Sequence, residues 1–573
     1  MCRILFLTHA FNSLTQRLYI ELQAQGHEVS VEFDINNTVA IEAVDLYQPD
    51  LIIAPFLKRA IPEAIWRKKI CLIVHPGIVG DRGPSALDWA LLNQEKRWGV
   101  TVLQANEEMD AGDIWSSHEF MMREASKACL YRNEVTESAI IAVLQAVKQF
   151  ESGHFTPSIL DYSNPETKGQ LRPLMTQHDR TIHWNKDNTD TVLRKIRCAD
   201  GFPGVRDEIL GHEYYLYDAY PEKRLSGEPG TLIARCGCAV CRATVDGAVW
   251  IGHLRDKLAS HPFKLPATRL LAQKIEHLPE VEAVQGMGYC DIWYEEVGQV
   301  GYLHFPFYNG AMGTEQCRRL LRAYVLACQQ KTRVIVLMGG PDFWSNGLHL
   351  NLIEAAESAA EESWRNINAI NDLALAIINT QSHLTVAALQ GNAGAGGVFL
   401  ARAVDEIWAS NGVILNPHYK DMGNLYGSEY WTYLLPRYAG HDNAERIIQA
   451  RLPMGTREAL SLGLINAVIP AKGEAFVQAV KKRAEDLANV PAFASRLESK
   501  NKCRAIDEQH KPLASYRKKE LEKMRMNFFG SDPSYHIARY NFVYKVDKSR
   551  TPMSIALHRR TTTCSKQTVR RVV

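Results

Sequence analysis

No apolar run in this sequence approaches the roughly 18 residues needed to cross a bilayer, so no helical membrane span is expected. An excess of one charge is also missing. Lys and Arg number 66 against 64 Asp and Glu, a formal net charge of +2, so no bulk basic field points to nucleic acid. The opening "MCRILFLTHAF" has neither the long apolar region nor the small-residue cleavage site of a secretion signal, and it reads as a first strand. No G-x-G-x-x-G follows that strand, which removes the dinucleotide fingerprint. Twelve cysteines in 573 residues are too sparse for a disulfide framework and are expected to be reduced and mostly buried. The chain also has no fixed-period repeat and no long low-complexity segment. Together these absences point to the cytoplasm.

What is present is ordinary for a soluble α/β protein: 46% hydrophobic and 23% charged residues, with enough length for two to four domains. Residues 1–160 alternate strands and helices. "RILFLT", "HEVSVEF", "PDLIIAPF" and "CLIVHPG" read as strands of a parallel, doubly wound sheet. Function in such sheets sits at strand C-terminal ends. Residues 161–178 are polar, contain two prolines and read as a linker. Residues 178–258 read as a helix, "DNTDTVLRKIRCA", followed by a compact Greek-key, OB-like β-barrel. A second junction is expected over 259–295, a second α/β domain over 296–473, and a helical, charged extension with a polar, disordered tail over 474–573.

The first candidate site is "CLIVHPGIVGDRGPSALDWALL", where a buried strand runs into His75 and an Arg-Gly-Pro turn. Thirty-five residues on stands "NEEMDAGDIW", with Asp110, Gly112 and Asp113. Taken singly, a histidine after a buried strand and an Asp-Gly turn are more often structural. Together they resemble the folate formyltransferases, the enzymes that use 10-formyltetrahydrofolate. The stretch "IHWNKDNTDTVLRKIRCADGFPGV" is similar to the C-terminal barrel of methionyl-tRNA formyltransferase. Formyl transfer from an amide nitrogen passes through an oxyanion, which a histidinium can stabilise while a carboxylate handles its charge. The resemblance gives these roles to His75 and Asp110. The family's usual Asn is replaced by Ile73, which cannot donate, and loss of one such donor typically costs roughly 100- to 1,000-fold. A thiolate acceptor, more nucleophilic than an amine, would suit such a site.

The second candidate site is paired. "DFWSNGLHLNLIEAA" (342–356) and "LTVAALQGNAGAGGVFLARAVDEIWAS" (384–410) each read as strand, glycine turn and helix start. Two such turns can aim backbone N–H groups at one carbonyl oxygen. With "GTREALSLGLINAVI" following in order, the region resembles the crotonase (enoyl-CoA hydratase/isomerase) superfamily. That resemblance implies a coenzyme A thioester and assigns the oxyanion-hole N–H groups to Leu348 and Gly396. The hydratase glutamate position is Phe399, and "LNPHYKDMGNLYGSEYWTYLL" replaces the usual Pro-Glu, so water addition is not expected. Tyr419 and Glu429 remain as candidate catalytic groups, with His418 behind them.

"RCGCAVC" places Cys236, Cys238 and Cys241 at C-x-C-x-x-C spacing. Without a nearby fourth ligand this fits a hairpin better than a zinc site, and no metal is expected. Arg539 and Lys545 read either as phosphate contacts or as solvated charges.

A formyl-donor site and a thioester site in this order, with "AFNSLTQRLYIEL", "VHPGIVGDRGPSALDWAL" and "NPHYKDMGNLYGSEYW", resemble the HypX/HoxX hydrogenase maturation family, in which Ile replaces the Asn. The resemblance implies CO synthesis from 10-formyltetrahydrofolate and coenzyme A, possible contact with a NiFe-hydrogenase precursor or its maturation proteins, and no nucleic-acid or membrane partner. It implies a cofactor-binding set of Ile73, Gln16, Arg17, Arg132, Gly112, Gly347 and Gly397. Two other readings stay open: a formyl-CoA hydrolase or formyltransferase to another acceptor, and a non-catalytic folate- and CoA-binding scaffold.

Overall fold

The computed structural model describes residues 1–259 and 262–560. Among the described residues there are four sheets. The first is built from β1 (Arg3–Thr8), β2 (Glu28–Phe33), β3 (Leu51–Ala54), β4 (Cys71–His75), β5 (Arg97–Gln104) and β6 (Ile114–Met121), in the order β2-β1-β3-β4-β5-β6. Strands β1 to β4 run parallel, and their near-continuous apolar runs are buried on both faces. The four strands read from the sequence are thus the parallel part of the sheet; β5, antiparallel to β4, and β6, antiparallel to β5, extend it. Strand β6 lies at the sheet edge, and from Ser117 on it alternates exposed with half-buried residues, as a one-faced strand does.

The β-rich unit consists of β7 (Val205–Ile209), β8 (His212–Glu222), β9 (Leu232–Cys236), β10 (Ala239–Ala243), β11 (Ala248–Asp256) and the short β12 (Leu265–Pro266). Its order, β7-β8-β11-β10-β9, is a Greek key: three hairpin-linked strands with β8 beside the last of them. The ladder path does not close by backbone pairing among the described residues. Instead Arg242 on β10 donates to the Glu208 carbonyl (3.1 Å) and to Asp207, both on β7. The preceding helix, Thr189–Ala199, is capped by Asn188 and presses Val192, Leu193 and Ile196 into this core.

The third region has strands β13 (Trp293–Val297), β14 (Val300–Phe305), β15 (Val334–Gly339), β16 (Phe343–Ser345), β17 (Leu384–Leu389), β18 (Asn392–Gly394), β19 (Glu406–Ser410), β20 (Ile414–Asn416), β21 (Met454–Gly455) and β22 (Ala467–Ile469). The main sheet runs β13-β14-β15-β17-β19-β22 and the small one β16-β18-β20-β21. Each of β15, β17 and β19 therefore hands the chain to a strand of the small sheet. Because β16 pairs with β18, the turns that follow those two strands emerge side by side. Helices Gly473–Asn489, Phe493–His510, Leu513–Phe529 and Ser534–Val543 complete the region. The chain then returns to the first sheet, where the Val31 N–H donates to the Ile555 carbonyl at 2.9 Å. The expected disordered tail, from residue 561, lies outside the described residues.

Candidate active sites and the cavity between the domains

His75 ends β4 and is buried between two carboxylates. Its Nε2 lies 3.1 Å from Oδ1 of Asp81, and its Nδ1 lies 3.7 Å from Oδ2 of Asp110. Asp110 adopts left-handed backbone geometry (φ 56°), and its carboxylate is 3.4 Å from the Gly83 amide. Ile73 shares the sheet face of His75, two residues earlier on β4, and is half-buried. Gly112 lies so close to β5 that a Cβ there would meet the Gln104 carbonyl at 1.7 Å. Asp81 was not singled out from the sequence, although it sits inside the quoted loop. Its only signal there was a carboxylate next to the Arg-Gly turn.

The paired turns meet as the strand order requires. Gly347 has φ 73°, and a Cβ on it would stand 3.3 Å from the Gly396 nitrogen. Leu348 follows Gly347, and Gly396 opens the helix Gly396–Arg402. Gly397 passes tightly over β16, where a Cβ would lie 2.1 Å from the Ser345 carbonyl. A Cβ on Gly396 would lie 2.2 Å from Oε1 of Glu429, so that carboxyl stands directly at the turn. The Tyr419 hydroxyl donates to Oε2 of Glu429 at 2.6 Å. Phe399, in the position of the hydratase glutamate, stacks on the Tyr419 ring at 5.4 Å.

Glu429 and Tyr430 both adopt left-handed geometry, φ 57° and 60°. Buried acceptors hold this unusual pair: Asn371 takes the Glu429 N–H at 2.8 Å, and Glu520 takes the Tyr430 N–H at 3.0 Å. Burial pushes Glu429 up to about 7, partly offset by the Tyr419 hydrogen bond. Burial likewise pushes Glu520 up to about 7, against its hydrogen bonds from Thr432. Burial also raises the Tyr419 phenol far above its ordinary range, and Glu429 adds to this.

A cavity of about 880 Å³ lies between the domains, within the size range of cofactor sites. Gln16 and Arg132 of the first domain line it, as do Lys264 beside the β-rich unit and Leu348, Gly396, His418, Tyr419 and Glu429 of the third region. Lys545 contributes from beyond the last helix. Arg132 spans the interface to Asp342 (3.0 Å) and Asn309 (3.2 Å). The Gln16 side-chain oxygen accepts from Asn416 at 3.2 Å. Lys264 donates to Tyr308 at 2.8 Å, and burial lowers it to about 8. His418 is buried with Nδ1 unpaired among the described residues, and burial lowers its pKa.

His75, Ile73, Asp110, Gly112, Gly347 and Gly397 do not form part of the cavity wall. Arg17 does not line it either. It is buried in ion pairs with Glu21 (2.7 Å) and Glu137 (3.2 Å), packed under Gly412. That placement makes Arg17 a domain-interface residue, which departs from the pocket position expected of it. Arg539 is likewise occupied, by Glu354 at 2.6 Å. Cys236 and Cys241 lie in the β9–β10 hairpin with Cys238 in its turn, and burial raises all three thiols, Cys236 to about 11 and Cys238 to about 12.

Fold and geometry together define a formyltransferase joined to a crotonase-type domain. Family models agree: Formyl transferase matches residues 7–147, Formyl transferase C-terminal domain 174–260, and Enoyl-CoA hydratase/isomerase 303–543. The chain is 57% identical over 557 residues to the hydrogenase maturation factor HoxX of Bradyrhizobium diazoefficiens, covering 97% of each chain. It matches the crystal structure of Aquifex aeolicus HypX in complex with tetrahydrofolic acid at 48% identity and TM-score 0.94, over 97% of this chain and 99% of that one. Methionyl-tRNA formyltransferase of Thermotoga maritima is 25% identical over 243 residues, 41% of this chain and 75% of the relative. The chain belongs to the HypX/HoxX family of hydrogenase maturation factors. No helix among the described residues is long and apolar enough to cross a membrane.

Proposed function

We propose that the protein makes carbon monoxide from 10-formyltetrahydrofolate in two steps, for use as the CO ligand of a NiFe-hydrogenase active site. In the first step the coenzyme A thiol attacks the formyl carbon. The C–N10 bond breaks, the thiol proton ends on N10, and the products are formyl-CoA and tetrahydrofolate. His75 stabilises the oxyanion, and Asp110 handles the proton. Arg132, Lys264 and Lys545 give the cavity cations that suit the phosphates of coenzyme A.

In the second step the Leu348 and Gly396 N–H groups polarise the formyl carbonyl. Glu429 takes the formyl proton, that C–H electron pair becomes the carbon lone pair of CO, and the C–S pair leaves with sulfur. The proton then returns to the thiolate, so HC(O)–S-CoA becomes CO and coenzyme A. The observation that carries this reading is Glu429. Its Oε1 lies against the Gly396 turn, its Oε2 is held by Tyr419, and it lines a cavity that also reaches Gln16 and Arg132 of the formyltransferase domain. A buried carboxyl near 7 is matched to proton abstraction at neutral pH.

The test is a CO assay with purified protein, 10-formyltetrahydrofolate and coenzyme A, read from haemoglobin spectra. CO should require both substrates and vanish in His75→Ala. Stoichiometric formate with no CO would instead indicate hydrolysis.

A further inference from the structure

The two carboxylates around His75 are not equivalent. Asp81 has a side-chain exposure of 0% and lies 3.1 Å from Nε2, whereas Asp110 is 14% exposed and stands 3.7 Å from Nδ1. A carboxylate can only accept, so the short contact places a proton on Nε2. The Nε2 side is also walled in. A Cβ on Gly77 would lie 2.5 Å from Nε2 and 2.7 Å from Asp81 Oδ1, leaving no room there for a substrate atom. Asp81 is in turn fixed from outside the first domain's sheet. Arg172, itself buried, donates to Oδ2 of Asp81 at 3.2 Å.

Arg172 belongs to the 161–178 segment, which is pinned along the active-site loop. The Gly169 N–H donates to Val79 (3.0 Å), the Arg82 N–H to Gln170 (3.2 Å) and the Arg172 N–H to Arg82 (2.9 Å). The Tyr162 hydroxyl donates to the Gly80 carbonyl at 3.0 Å.

We propose that Asp81, anchored by Arg172, is the positioning residue of His75, and that Nδ1, on the Asp110 side, is the nitrogen presented to substrate. A buried carboxylate on the far nitrogen fixes ring orientation and proton placement, as in hydrolase triads. In a site where Ile73 cannot donate, the remaining donor has to be aimed well. This inference rests on the formyl-transfer reading above.

The experiment compares wild type, Asp81→Ala, Arg172→Gln and Asp110→Ala. Tetrahydrofolate release from 10-formyltetrahydrofolate and coenzyme A gives kcat and KM. Asp81→Ala should lower kcat about 100-fold, the scale of a misplaced catalytic group, with the folate KM within about twofold. Arg172→Gln should move in the same direction by a smaller factor. In ¹⁵N spectra, the Nε2–H signal that His75→Gln removes should shift in Asp81→Ala and stay in place in Asp110→Ala. Wild-type kcat in Asp81→Ala, or folate binding lost in parallel with rate in both loop variants, would overturn the positioning role. If wild type releases no tetrahydrofolate, the proposed function fails, and the ¹⁵N signal still decides whether Asp81 holds the ring.

Discussion

Glu429 has to lose its proton before it can take one, so its elevated pKa gives the second step a pH signature. On the proposed mechanism, CO formation rises with pH through about 7, while tetrahydrofolate release does not follow the same limb. Glu429→Gln keeps an acceptor for the Tyr419 hydroxyl but no base. It should cut CO formation by about 100- to 1,000-fold, leave tetrahydrofolate release near wild type, and abolish that pH limb. Stability has its own sign. An acid raised from 4.5 to about 7 binds more protons folded than unfolded between those values, so stability falls as pH rises through that window. The cost above pH 7 is about 3 kcal/mol. Chemical denaturation at pH 5.5 and 8 should show the drop in wild type and a smaller one in Glu429→Gln. At this scale the sequence was partly legible. Glu429 and Tyr419 stood out because the family's usual carboxylate positions were vacant. Asp81 did not, because its role depends on Arg172, 91 residues on, and on a glycine that lets the loop close over it.

At the scale of elements, strand existence could be read from apolar runs, and direction from the alternation with helices for β1 to β4, but not for β5. The strand β5, "RWGVTVLQ", is buried almost throughout, and nothing in that pattern says it runs against β4. The 161–178 segment shows a sharper limit. Its prolines and polar residues do mark an irregular connection. Composition gives no sign that its backbone lies along the active-site loop, because that contact is made mainly by peptide groups and one glycine, with only Tyr162 and Arg172 adding side-chain bonds. A Cβ on Gly169 would lie 1.8 Å from the Asp81 nitrogen, with Gly80 backbone also in the way. Backbone cannot rotate aside as a side chain can, so Gly169→Ala should displace the loop that carries Asp81. The expected result is a destabilisation of about 1–3 kcal/mol, the range for overpacking. It should also bring a loss of tetrahydrofolate release larger than that of a distant control such as Gly153→Ala, which meets nothing within 4 Å and carries only the backbone strain of its positive φ, 71°. Equal activity in the two variants would show that the connection is a passive tether.

At the scale of the whole molecule, the chain closes on itself. Residues 551–560 return to β2, where buried Glu32 meets His558 (2.7 Å), Arg559 (2.7 Å) and Thr551. Phe33 donates its N–H to the Thr551 hydroxyl at 2.8 Å, and Ile555 enters the core of the first domain. No local pattern announces this contact, since the partners lie more than 500 residues apart in sequence and "TPMSIALHRR" reads only as the end of the charged extension. The consequence is architectural. Phe542, Val543, Tyr544 and Lys545, which line the cavity, stand just before this strap, so their placement is fixed from one side by the last helix and from the other by the first domain. Burial alone would push Glu32 up, but the hydrogen bonds from His558 and Thr551 and the charge of Arg559 outweigh it and hold it below its ordinary value. For an acid lowered by folding, the stabilisation is present above the unfolded pKa and lost as pH falls through the folded one. The strap should therefore be fully held at neutral pH and weaken as pH falls below the ordinary carboxylate range. Ending the chain at Asp547 removes the strap and keeps every cavity-lining residue. If the strap sets the cavity wall, calorimetry at pH 7.5 should show coenzyme A binding weakened about tenfold, while tetrahydrofolate binding at the β4 site changes by less than about twofold, since 1.4 kcal/mol of lost pre-organisation corresponds to a factor of ten. Unchanged coenzyme A affinity in the shortened chain would mean that the last helix alone holds the wall.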